Sequence, residues 1–138
     1  MNIQFDEKNR VFKLDTEHTS YVMAVVDNEG FLGHVYYGAK ISDTDVAYLL
    51  RTDENPMVPS KNNRDRSSFL DTFPMEYPGN GVGDYRESAI AVLDKNGHSA
   101  VQFFYRSHQI FDGKKKIPGL PASFAKETEC QKVHNIKH

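Results

Sequence analysis

Residues Thr19 to Val26 constrain the fold more than any other stretch. They read Thr-Ser-Tyr-Val-Met-Ala-Val-Val, with Tyr21, Met23 and Val25 on one side of an extended chain and Val22, Ala24 and Val26 on the other. Side chains alternate faces along a strand, so apolar residues on both sides predict a strand covered from above and below. Asp27-Asn28-Glu29-Gly30 is a turn, and Phe31 to Tyr37 is the return strand of an antiparallel hairpin. Val11 to Leu14 is a short strand candidate ahead of it.

A second hairpin is predicted from Ser88 to Leu93, the turn Asp94-Lys95-Asn96-Gly97, and Ser99 to Phe111. Asn96-Gly97 and Asp112-Gly113 mark turns because those residue types tolerate positive φ. Helical periodicity is weak throughout, and Asp45 to Arg51 has room for about two turns. The expected fold class is therefore all-β, an antiparallel β-sandwich. A length of 138 residues suits one domain, and seven tyrosines with nine phenylalanines supply a packed core.

Charge and cysteine content narrow the partners. The net charge of −2 gives no electrostatic reason to bind nucleic acid, and the one basic run, Lys114-Lys115-Lys116, reads as a solvated turn. No apolar run approaches the roughly 20 residues of a membrane-spanning helix. Asp6 and Glu7 stand where a signal peptide would be basic and then apolar, so none is expected. Cys130 is the single cysteine, which excludes an intramolecular disulfide and fits a reduced, cytoplasmic setting.

Two segments resist the sandwich reading. Ser42 to Ser68 is polar and rich in Asp, Asn, Arg and Pro, and is longer than structureless loops usually run. It is either disordered or an arm that orders against something. Ala125 to His138 is polar without sustained alternation, so residues 125–138 are set apart as an atypical tail on a sandwich of residues 1–124. A sandwich that stops there has an open edge, which invites pairing with a partner.

Sugar hydrolysis uses two carboxylates flanking the scissile bond, and Asp71, Glu76 and Asp84 are the candidates here. The structural alternative has Asp71 capping a turn, Glu76 making a loop hydrogen bond and Asp84 pairing with Arg86. His34 and His108 fall in predicted strands and His98 in a turn, without a metal-ligand spacing; His134 and His138 give only a weak helix-type match, and no metal is expected. Gly79-Asn80-Gly81-Val82-Gly83 precedes no helix pattern and is not a phosphate loop. No Gly-x-Ser-x-Gly motif occurs. Tyr77 and Tyr85 are the best placed aromatics for an exposed sugar-stacking platform.

Leu70-Asp71-Thr72-Phe73-Pro74-Met75-Glu76-Tyr77-Pro78 followed by Gly83-Asp84-Tyr85-Arg86 has no helical or strand period, and reads as a shaped loop at a binding surface. Together with Ser20-Tyr21-Val22-Met23, Gly33-His34-Val35-Tyr36-Tyr37-Gly38 and Gly119-Leu120-Pro121-Ala122, it resembles the N-terminal β-sandwich (a supersandwich) of bacterial α-galactosidases of glycoside hydrolase family 36. The resemblance covers Ile3 to Phe124. It implies an enzyme that hydrolyses terminal α-galactosides of the melibiose, raffinose and stachyose type without a cofactor. The catalytic aspartates of that family lie in a downstream (β/α)8 barrel, so no residue here inherits a catalytic role, and this chain alone is expected to be inactive.

The resemblance further implies that the domain packs on the barrel, builds oligomer contacts (commonly a tetramer) and lends an acidic loop residue to the galactose pocket. Asp53 matches that acid most nearly, with Glu54 one position on. A carboxylate there accepts hydrogen bonds from sugar hydroxyls. Tyr77, Asp84, Tyr85 and Arg86 complete the expected substrate-binding set. Met75 stands where the family usually has Gln, and Ser88 where it has Pro. Glu127 to His138 departs from the family's alternating strands, so a C-terminally truncated chain is expected.

Overall fold

The computed structural model describes residues 2–42, 45–50, 74–81, 84–112, 118–119 and 131–134. Four strands, β1 (Asn2–Asp6), β2 (Val11–Asp15), β3 (Thr19–Val26) and β4 (Phe31–Ala39), form an antiparallel meander in the order β1-β2-β3-β4. Turn chemistry sets the reversals. After β1, the Asp6 carboxylate accepts from the backbone N–H groups of Lys8 (2.9 Å) and Asn9 (3.2 Å), and Arg10 takes a left-handed φ of 55°. Between β3 and β4, Asp27 (φ 58°) and Gly30 (φ 80°) carry the chain round, and the Gly30 N–H donates to the Val26 carbonyl at 3.1 Å.

Both faces of the sheet are covered, as the alternation in β3 requires. Val11, Val22, Ala24, Val26 and Phe31 cluster with Val46 on one face. Phe12, Val25 and Leu32 cluster on the other, joined by Phe5, Met23, Tyr77 and Tyr105. Val22 is fully buried. The β3–β4 register breaks once: Val22 pairs with Tyr36 but Met23 pairs with His34, leaving Val35 as an extra residue in a bulge.

A buried polar group sits at the end of this sheet. Lys13 and Asp15 on β2 pair at 3.3 Å, and Ser20 on β3 donates to Asp15 at 2.6 Å. The Ser20 hydroxyl in turn accepts from the Ile41 backbone N–H at 3.0 Å, while the Lys13 ammonium donates to the Ile41 carbonyl. Burying a charge pair is tolerable when its remaining hydrogen-bonding capacity is met. Here the partners fix where the chain leaves β4.

After β4 the described helical structure is a single 3₁₀ turn, Ala47–Leu49, shorter than the two turns expected from Asp45 to Arg51. Arg51 lies outside the described residues.

The expected second hairpin is half formed. Its turn closes, with Asp94 N–H donating to the His98 carbonyl and Gly97 N–H to the Asp94 carbonyl, each at 3.0 Å. The flanking ladder does not form: strand structure resumes only at β5 (Gln109–Asp112), and Ile90, Val92 and Leu93 are exposed. Alternating apolar residues favour a strand only where something covers them. Residues 131–134 of the polar tail form β6 (Gln131–His134), which pairs antiparallel with β5 and lies against β1. A two-strand ladder needs backbone groups, not apolar alternation, which is why the tail's composition concealed it. The described architecture is all-β and antiparallel, an open sheet consistent with a β-sandwich.

Candidate functional site

Pro74 to Glu76 lies along the outer edge of β4. The His34 N–H donates to the Pro74 carbonyl at 2.7 Å and the Glu76 N–H to the Leu32 carbonyl at 2.9 Å, with Met75 bridged to Gly33. This backbone pairing brings the Glu76 side chain over the face that carries Tyr21. The Tyr21 hydroxyl donates to Glu76 Oε2, and His34 Nδ1 lies 3.0 Å from Glu76 Oε1. Burial and the Glu76 carboxylate push the Tyr21 phenol well above the usual tyrosine range, so it acts as a donor and not as a base.

The bulge decides who shares this face. His34 and Tyr37 are three residues apart, which in a regular strand means opposite sides. The extra residue at Val35 puts both beside Tyr21, with ring centroids 5.3 Å and 5.9 Å from it. Tyr37 is mostly exposed. The result is a half-open cluster of two phenols, an imidazole and a carboxylate. It offers hydrogen bonds and an aromatic face, and its one carboxylate among the described residues is already engaged by Tyr21 and His34.

The Gly-Asp-Tyr-Arg element is organised round a buried acid. Asp84 accepts from Arg86 Nε at 2.8 Å, from the Arg86 N–H at 3.2 Å and from the Gly79 N–H at 3.3 Å. Its side chain therefore shapes the loop and holds Arg86. Tyr85, between them, is 82% exposed. Tyr77 points the other way: its ring packs 6.2 Å from Phe103, beside a shallow apolar cleft lined by Leu32, Met75, Phe104 and Tyr105. Of the two tyrosines expected to share a platform, Tyr85 is the one presented to solvent. Asp53, Glu54 and Asp71 lie outside the described residues.

His108 and His98 are satisfied locally. His108 contacts the Tyr105 hydroxyl at 2.7 Å and packs on Phe5 and Phe12, and His98 meets Asp94 at 3.0 Å. Among the described residues, no three or more His, Cys, Asp or Glu side chains gather as metal ligands. Sequence reasoning singled out Glu76 and His34 separately but missed their meeting with Tyr21. Tyr21 and Glu76 are 55 residues apart, and only the strand pairing brings them together.

The sequence model described as the glycosyl hydrolase family 36 N-terminal domain matches residues 30–136, well past Phe124 and into the polar tail. The bifunctional alpha-galactosidase/sucrose kinase AgaSK of Mediterraneibacter gnavus is 36% identical over 99% of this chain, which spans 14% of that protein. Its solved galactosidase domain superimposes with a TM-score of 0.81 at 35% identity, over 96% of this chain and 18% of the other. An AgaA alpha-galactosidase variant of Geobacillus stearothermophilus, solved in complex with raffinose, gives 0.75 at 33% identity over 89% of this chain and 17% of its own. With most of its length matched by the family's N-terminal domain, and a relative above 30% identity along nearly all of it, the chain belongs to glycosyl hydrolase family 36.

Proposed function

We propose that this chain serves as the non-catalytic N-terminal β-sandwich of an α-galactosidase acting on terminal α-galactosides such as raffinose. The observation that carries this reading is the match of nearly the whole chain to a segment amounting to only 14–18% of alpha-galactosidases. The domain packs on a catalytic barrel, contributes to a homo-oligomer, a tetramer by family resemblance, and bounds the substrate pocket. Asp53, or Glu54 beside it, supplies the carboxylate facing the sugar. Tyr85 and Arg86, presented by buried Asp84, form the second polar and aromatic contact, with Tyr77 behind them. The setting proposed for it is cytoplasmic, with which the single cysteine is compatible.

A stand-alone carbohydrate-binding module is the second reading, and the exposed ring of Tyr85 is the observation that favours it. The experiment replaces the matching segment of the M. gnavus relative with this chain and follows hydrolysis of an aryl α-galactoside. The chain alone is expected to be inactive and the chimera active. In the chimera, Asp53→Ala or Glu54→Ala raises KM about tenfold or more, the worth of a lost hydrogen bond to a charged group. Turnover by the isolated chain, abolished by Glu76→Gln or Asp84→Asn, would sink the reading. Glycan binding by the isolated chain that is lost in Tyr85→Ala favours the module instead.

A further inference from the structure

The arm that runs out from Ala89 and back to Val101 turns at Asp94-Lys95-Asn96-Gly97. At its base the Ala89 N–H donates to the Pro78 carbonyl at 2.9 Å, and every residue from Ala89 to Ala100 is exposed. The chain holds two Asn-Gly pairs, Asn80-Gly81 and Asn96-Gly97. Such a pair carries its own chemistry, because the backbone nitrogen after an asparagine can attack the side-chain amide carbon, and a glycine puts no side chain in the way.

The fold treats the two pairs differently. Asn96 and Gly97 are exposed, and nothing lies within 4 Å of the place a Cβ on Gly97 would occupy. The described bonds of this turn are its own. The Gly97 N–H donates to the Asp94 carbonyl at 3.0 Å, and the Asp94 carboxylate accepts from the Asn96 N–H at 2.7 Å and the His98 N–H at 2.9 Å. Bonds at an exposed tip open without disturbing a core. Asn80-Gly81, by contrast, is clamped. The Gly81 N–H donates to the Asp84 carbonyl, and the Asp84 N–H returns a bond to the Gly81 carbonyl at 3.0 Å. A Cβ on Gly81 would lie 3.1 Å from that of Ala100, and one on Gly79 within 1.8 Å of the Val101 carbonyl. Freeing that peptide means opening the loop round buried Asp84.

We propose that Asn96 is a site of spontaneous covalent modification, while Asn80 in the same dipeptide is kept unreactive by its loop. The Gly97 nitrogen bonds to the Asn96 side-chain carbonyl carbon. The bond from that carbon to the side-chain nitrogen breaks, and the proton lost by Gly97 leaves with it as ammonia. Water then opens the five-membered imide. Attack at the side-chain carbonyl gives aspartate, and attack at the main-chain carbonyl gives isoaspartate, with the backbone now running through the side chain.

Either product strikes the bonds that hold the tip. The Asn96 side chain donates to the Asp94 carboxylate, whose carboxyl is held below its ordinary range by the His98 N–H first and the Asn96 groups after it. Deamidation replaces that donor with a second carboxylate. Isoaspartate also lengthens the main chain between Asp94 and His98, which carries the Gly97 and His98 N–H groups away from their acceptors.

The test ages the folded 138-residue chain at neutral pH and digests it with trypsin. Cleavage after Lys95 and Arg106 frees residues 96–106, and cleavage after Arg66 and Arg86 frees 67–86, so each pair is read in its own peptide. Isoaspartate is counted by an isoaspartyl carboxyl methyltransferase supplied with S-adenosylmethionine. Asn96 is expected to convert about tenfold or more faster than Asn80, which must wait for its loop to open. In urea, with the loop gone, the two rates are expected to fall within about threefold of each other. Asn96→Gln abolishes the isoaspartate of peptide 96–106 and leaves the exchange of β1 to β4 unchanged. In the aged parent the His98 amide exchanges faster. If the isolated chain shows no protected β3 amides, the same peptides are read in the M. gnavus chimera.

Equal conversion of the two pairs in the folded protein overturns the proposal, and so does conversion led by Asn80. An Asn96 that stays intact in the fold while reacting in urea overturns it too. Conversion to aspartate with no carboxylate that accepts a methyl group rules out the imide and defeats it as well. None of these outcomes touches the functional reading above, which rests on hydrolysis by the chimera.

Discussion

β3 and the arm at Ala89 to Leu93 are built from the same kinds of residue, yet one is buried over most of its length and the other stands in solvent. β3 has β2 and β4 on either side and apolar clusters on both faces. The arm has a good turn and a good anchor, but among the described residues no neighbouring strand. The difference teaches that strand formation here is decided by coverage and pairing. Residue type sets what a segment is ready to do.

The comparison breaks hardest at the core. Phe12→Ala on β2, beneath the β3 cluster, is expected to cost about 3–5 kcal/mol, while Leu93→Ala on the arm stays within about 0.5 kcal/mol of the parent. Urea unfolding of both variants in the isolated chain measures the contrast, and equal losses would show that the arm is already packed. A backbone version follows. Gly79→Ala drives a methyl into the Val101 carbonyl and is expected to cost about 1–3 kcal/mol, with detachment of the arm's base seen as faster exchange at Ala89. Gly97→Ala meets nothing within 4 Å and costs about 1 kcal/mol, from its φ of 84° alone.

Two polar changes sharpen the contrast further. Ser20→Ala strips the Ile41 N–H and the Asp15 carboxylate of a buried partner, and a loss of about 1–3 kcal/mol is expected in thermal unfolding. Tyr21→Phe removes one donor to Glu76, at about 1 kcal/mol. Its signature is in the pH profile. The folded state raises the Tyr21 pKa, so the stability its neutral phenol contributes is full below the ordinary value of about 10. It is lost as pH climbs from there through the raised folded-state value, and Tyr21→Phe flattens that alkaline limb.

How much of this was legible in the sequence follows the same division. β3 and its return strand were readable because alternation and turn residues are local signals, and the Asp94–Gly97 turn was readable for the same reason. β1 escaped notice because five residues of mixed polarity carry little pattern until β2 pairs with them. β6 escaped because its partner, β5, precedes it by some twenty residues and the ladder is a backbone affair. At the candidate site, Asp84 with Arg86 was readable from a two-residue spacing. The Glu76 cluster was not, since it depends on a bulge and on an edge pairing between distant segments.

That bulge has a consequence for how the gene can change. Dropping one residue from a strand ordinarily turns everything beyond it inside out. In β4 the opposite holds at Val35, because Val22 and Met23 are already adjacent while their partners Tyr36 and His34 are not. Excising Val35 would leave every cross-strand pair with the partner it has now. A length change at this point costs the packing of Val35 against the core but spares the register of the sheet.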